Sequence, residues 1–142
     1  MRKYAPILFL TALLSACAHQ NITMPEAGQR LQACERSKPS AFRTDKQREE
    51  AITRVSFEFA MLLPDPSTPP DLRQAARTMY FALSTVRRVL EKANTAEVPP
   101  DLATHLRCGL DGLDTASNLA EAGVWIVSIY NKDIEKLGKA EK

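Results

Sequence analysis

Histidine, glycine and tryptophan are scarce in this chain of 142 residues, which holds two His, five Gly and one Trp. His19 and His105 each stand alone, with no Cys, Asp or second His at a ligand spacing, so the pattern offers no zinc site and no metal or cofactor is expected. The few glycines make no phosphate-cradling loop, and GxSxG, HExxH and EF-hand spacings are all missing, so no catalytic residue is assigned. Val, Ile and Thr never alternate at period two and no Asn-Gly hairpin occurs, which removes the sheet classes and leaves an all-α fold. Beyond the first seventeen residues no apolar run is long enough to span a bilayer.

What the chain does have is a patterned start. Arg2 and Lys3 precede an apolar run from Ala5 to Leu14, about ten residues, the length of a signal-peptide core and roughly half of a membrane span. The run ends in Leu14-Ser15-Ala16-Cys17, followed at once by polar His19-Gln20-Asn21. This segment resembles the lipobox of bacterial lipoproteins. The resemblance implies cleavage before Cys17 and acylation of Cys17, with a membrane lipid anchor as the consequence. Residues 1–16 are then a cleaved signal peptide, 17–23 a lipidated tether and 24–142 a single helical domain. Position 18 is Ala rather than Asp, so resemblance to the Gram-negative sorting pattern implies the outer membrane, facing the periplasm.

Losing the leader alters the charge balance. Removing Arg2 and Lys3 from 19 Lys+Arg leaves 17 against 17 Asp+Glu. A neutral chain without a basic stripe does not suit nucleic acid, whose binding relies on counterion release. The lysines at 132, 136, 139 and 142 are interleaved with acids and suit a solvated helix end. With Cys17 assigned to lipid, Cys34 and Cys108 remain. In an oxidising compartment two leftover cysteines pair, and closing so long a loop contributes up to about 4.5 kcal/mol.

Periodicity predicts a bundle of about four helices, at 24–37, 44–63, 69–93 and 100–137. Thr23 and Glu26 form one start signal, and Thr44 and Gln47 form a capping box. Ala27, Leu31 and Cys34 mark a buried face, as do Ile52, Val55, Phe59 and Leu62/Leu63, then Leu72, Ala76, Met79, Leu83, Val86 and Leu90. Pro99-Pro100-Asp101-Leu102 repeats Pro69-Pro70-Asp71-Leu72 as a second use of one helix-start chemistry. The last pattern runs Leu102, Leu106, Gly109, Leu113, Ala116, Ala120, Gly123, Val127, Tyr130, Ile134 and Leu137 without a slip. A rod of that length, roughly 57 Å, exceeds a domain of this size, so a kink or break is expected, with Gly123 and the Gly109–Gly112 segment as the candidates and Gly123 giving a first part that matches the third helix in length.

Few residues invite a chemical role. His105 reads as structural, and Asp111 with Asp114 as solvated acids sharing one helix face. Phe57, Met61, Phe81, Trp125 and Ile129 lie off the stripes of their helices. They form either a second buried layer or an exposed docking patch, with Trp125, Ile129 and Phe81 as the candidate partner-binding residues. The leading functional expectation is a non-catalytic, lipid-anchored envelope protein that binds another protein. Secretion or conjugation accessories and immunity-type binders are comparisons of type. A helical carrier or scaffold holding a small amphiphile, its gap lined by small residues of the last helix, is the alternative. A hydrolase of envelope polymers is the remote one.

Overall fold

The structure is a computed structural model that describes residues 21–130 and 133–139. Among them are six helices and no strand: α1 (Met24–Ser37), α2 (Asp45–Ala60), α3 (Pro70–Glu91), α4 (Pro100–Thr115), α5 (Leu119–Tyr130) and α6 (Ile134–Lys139). The all-α reading therefore holds. No helix among the described residues is long and apolar enough to cross a membrane. The leader and Cys17 lie outside the described residues.

Helix starts follow local chemistry. Thr23 Oγ1 accepts the Glu26 amide at 3.3 Å. At α2 the capping box closes both ways, Gln47 N to Thr44 Oγ1 at 3.2 Å and Thr44 N to Gln47 Oε1 at 2.9 Å. The two Pro-Pro-Asp-Leu segments open α3 and α4, each with an aspartate in the first turn, where the helix dipole favours it. Ile22 is buried, so the domain begins two residues earlier than the polar tether expected through Thr23.

The last pattern is not one helix, and its break does not fall at Gly123. The helix ends at Thr115, and Ala116 takes an extended ψ of 130°. Asn118 Oδ1 then accepts the Glu121 amide at 2.9 Å, while Glu121 Oε2 accepts the Ser117 amide at 2.9 Å. Asn118 and Glu121 thus make a new helix start, a signal that the uninterrupted 3-4 spacing hid. The non-helical residues rotate the register. Ala122, Trp125, Ile126 and Ile129 turn inward, while Ala120 and Val127 of the expected stripe are exposed and Gly123 and Tyr130 are half-buried.

α4 is the central helix. Leu102, Ala103, His105, Leu106, Cys108, Gly109, Leu110 and Leu113 are all buried, so it meets neighbours on several sides. α5 folds back along it with very little clearance. A Cβ on Gly109 would lie 2.2 Å from Ile129 Cγ1, and one on Gly112 would lie 2.5 Å from the Trp125 ring. These two glycines let α5 approach closely. α2 and α3 pack against each other, and α6 closes against α3 where Gly138 meets Thr85.

The glycines differ in a way that can be measured. Gly112→Ala must push a buried indole and is expected to lower stability by about 1–3 kcal/mol. Gly123→Ala meets nothing within 4 Å. In a helix interior it should stabilise by up to about 1 kcal/mol. Urea unfolding of the two variants checks the contrast; equal effects would contradict the packing described.

Candidate functional site

The cysteine pairing is realised. Cys34 and Cys108 form a disulfide with Cα atoms 5.8 Å apart, joining α1 to α4 across a separation of 74 residues. One turn away a polar contact ties the same two helices. His105 Nδ1 meets Glu35 Oε1 at 2.5 Å, and His105 Nε2 donates to the Ile129 carbonyl at 3.2 Å. Ser128 lines the same small cleft, and a Ser, a His and a Glu together invite an acid–base reading. The bonding does not assemble one. Nε2 is taken by a backbone carbonyl, and Ser128 Oγ donates to Val124 O at 2.9 Å. His105 is a buried residue that links three helices.

Asp111 and Asp114 are not the freely solvated acids expected from their shared face. Arg48, only 4% exposed, donates from Nε to Asp111 Oδ1 at 2.9 Å, from Nη1 to Asp45 Oδ1 at 2.8 Å and from Nη2 to Ser40 O at 3.2 Å. Arg43 donates to Asp111 O at 2.7 Å and pairs with Asp114 at 3.3 Å, where Arg54 also arrives at 3.4 Å. Arg107 completes the cluster with a two-point pair to Asp45, at 3.0 and 2.9 Å, and a bond to Asn94 Oδ1 at 2.7 Å. A buried guanidinium needs this many acceptors to offset its desolvation. The aspartates are therefore structural acceptors that bind α2 to α4. Sequence periodicity could not pair them, because their partners lie about sixty residues away.

The expected patch of Trp125, Ile129 and Phe81 is divided by the structure. Trp125 is 5% exposed and Ile129 0%, so both are core, for the register reason given above. Phe81 is 62% exposed, and Phe57 and Met61 are exposed as well. The off-stripe residues of α2 and α3 are thus surface, while those of α5 are interior.

Phe81 borders a mainly apolar groove, whereas a second depression of similar size, lined by Arg43, Gln47, Glu50, Arg54 and Asp114, is mainly polar. Thr78, Met79, Ala82 and Thr85 of α3 face Ile126, Val127 and Tyr130 of α5 across an open, mainly apolar groove of about 510 Å³. Its floor is Ile126 and its outer wall the half-buried Met79 and Tyr130. The α5 half of the groove was not legible in the sequence, since Val127 and Tyr130 were expected to face the core. No group of three or more His, Cys, Asp or Glu among the described residues could hold a metal ion. Comparison with protein-family models, with curated proteins and with solved structures yields no match.

The arginine cluster predicts a pH response. The hydrogen bonds from Arg107, and secondarily those from Arg48, hold the Asp45 carboxyl below its usual value of 3.8 against the opposing effect of partial burial. A depressed carboxyl stabilises the fold above its unfolded pKa and loses that contribution as pH falls through its lower folded pKa. Asp45→Asn should therefore be less stable than the parent near neutrality, with the difference narrowing below about pH 4. Denaturant midpoints from pH 7 to 2.5 check it, and a constant difference across that range would contradict it.

Proposed function

We propose that the protein is a lipid-anchored cell-envelope protein that acts by binding another protein and carries out no catalysis. On this reading Cys17 carries the acyl groups and the domain stands at the outer membrane, facing the periplasm in a Gram-negative cell. The observation that carries the binding half is the groove between α3 and α5. A fixed trough with a largely exposed Phe81 on its border has the composition of an interface centre, where aromatic anchors dominate. The disulfide supports the export half, because such bonds persist in oxidising compartments.

The geometry near the first described residues adds a constraint. Asn118 Nδ2 donates to Asn21 Oδ1 at 2.9 Å, and Ile22 is buried beside it. A lipid on Cys17 would then be four residues from a fixed point at the α4–α5 turn, at most about 14 Å of chain. The binding surface is held near the bilayer, within reach of membrane-associated partners.

Two variants test the two halves separately. Cys17→Ser should move the protein from the membrane pellet to the soluble fraction and abolish labelling by radioactive palmitate; unchanged fractionation would refute the anchor. Phe81→Asp should remove a co-isolated protein from detergent-solubilised membranes while changing stability by no more than about 0.5 kcal/mol, as expected for an exposed site. Retention of every co-isolated protein would refute the groove as the docking surface.

A further inference from the structure

The charge on α3 is one-sided. In a chain whose mature acids and bases balance, α3 carries Arg73, Arg77, Arg87 and Arg88 and no acid between Asp71 and Glu91. α1 and α2 mix the signs, with Glu26, Arg30, Glu35 and Arg36 on the first and Lys46, Glu49, Glu50, Arg54 and Glu58 on the second. Two of the four arginines are bonded to the α2 side of the molecule. Arg73 donates to Asp65 O at 3.0 Å and Thr68 O at 3.3 Å, and Arg87 donates to Thr53 Oγ1 at 2.7 Å. The other two, Arg77 and Arg88, are exposed and have no acidic partner among the described residues.

Their placement is not random with respect to the groove. At 100° per residue Arg77, Phe81, Ser84 and Arg88 share one stripe about 60° wide, and the two arginines stand roughly 16 Å apart along the axis. Arg88 Nη2 donates at 3.2 Å to Thr85 Oγ1, itself a residue of the groove wall. The facing helix has no charge at all from Ala122 to Tyr130. The result is an apolar trough with a cation toward each end and, among the described residues, no acid paired with either.

We propose that this groove receives an amphipathic helix of a partner protein, whose apolar side chains enter beside Phe81 and whose acidic residues, about three turns apart, pair with Arg77 and Arg88. The inference rests on the protein-binding reading above and adds the chemistry of the partner. A bilayer with anionic headgroups also attracts arginines, but a membrane is flat and the trough is concave, so it fits side chains projecting from a narrow ridge. Apolar anchors in a groove with charges flanking them is the usual division of labour in helix recognition: burial supplies affinity, and the charges fix register and exclude wrong partners.

The test is site-specific photocrosslinking from position 81 of the full chain in the cells that make it, with the adduct mapped by mass spectrometry. The expected adduct is one protein, joined at an apolar stretch with Asp or Glu about one to two turns to either side. Arg77→Glu combined with Arg88→Glu should lower its yield at least about tenfold, and replacing the mapped acids by Lys should restore it. Both arginines are exposed, and circular dichroism of the double variant confirms that folding is retained. A protein adduct at a segment without acids, or a yield indifferent to charge reversal, overturns the acidic-helix inference while leaving a protein binder. Adducts to lipid alone, or none to any protein, overturn both.

Discussion

Two turns of α4, from His105 to Gly112, meet three other helices through contacts that leave no room for displacement. His105 and Cys108 bind α1, one through Glu35 and the other through the disulfide. Arg107 and Asp111 bind the start of α2 through Asp45 and Arg48. Gly109 and Gly112 are the notches into which Ile129 and Trp125 of α5 fit. The three kinds of contact differ in physics. A covalent bond limits the unfolded chain, a buried charge cluster demands a particular geometry, and the notches depend on the missing Cβ atoms. Each fixes one helix, and together they set where every other residue can stand.

The surface that carries the functional reading lies off this centre. α3 rests mainly on α2 and also on α5 and α6, with less contact to α4. Its outer face therefore exposes Phe81, Arg77 and Arg88. α1 and the α4–α5 turn hold Asn21, the point from which an anchored tether would leave. α5 connects the two regions, since it starts beside Asn118 and ends at the groove.

Most of the fold could be read from the chain, for local reasons. The paired Pro-Pro-Asp-Leu starts, the Thr44–Gln47 box and the placing of Cys34 on a buried face all depend on near neighbours, and each is found as expected. The break before α5 falls away from Gly123 because Ala116, Ala120, Gly123, Val127 and Tyr130 continue the spacing of α4 although the buried face of α5 is a different one. The Asn118–Glu121 cap was the only local mark of the division, and with it the inward turn of Trp125 and Ile129. Asp111 misled for the opposite reason. Its partner Arg48 is far away in sequence, and no periodicity reveals a long-range ion pair. The groove depends on the register of α5, since one of its walls belongs to that helix.

The Cys34–Cys108 bond is the covalent tie of α1 to α4, whereas α5 is held by the glycine notches and α3 by its packing on α2. Hydrogen exchange read by mass spectrometry, on the purified protein before and after reduction of Cys34–Cys108, tests this most directly. Reduction should strip protection from the amides of α1 while α3 and α5 keep theirs. Loss of protection in all the helices together, or an α1 that exchanges no faster when reduced, would contradict it.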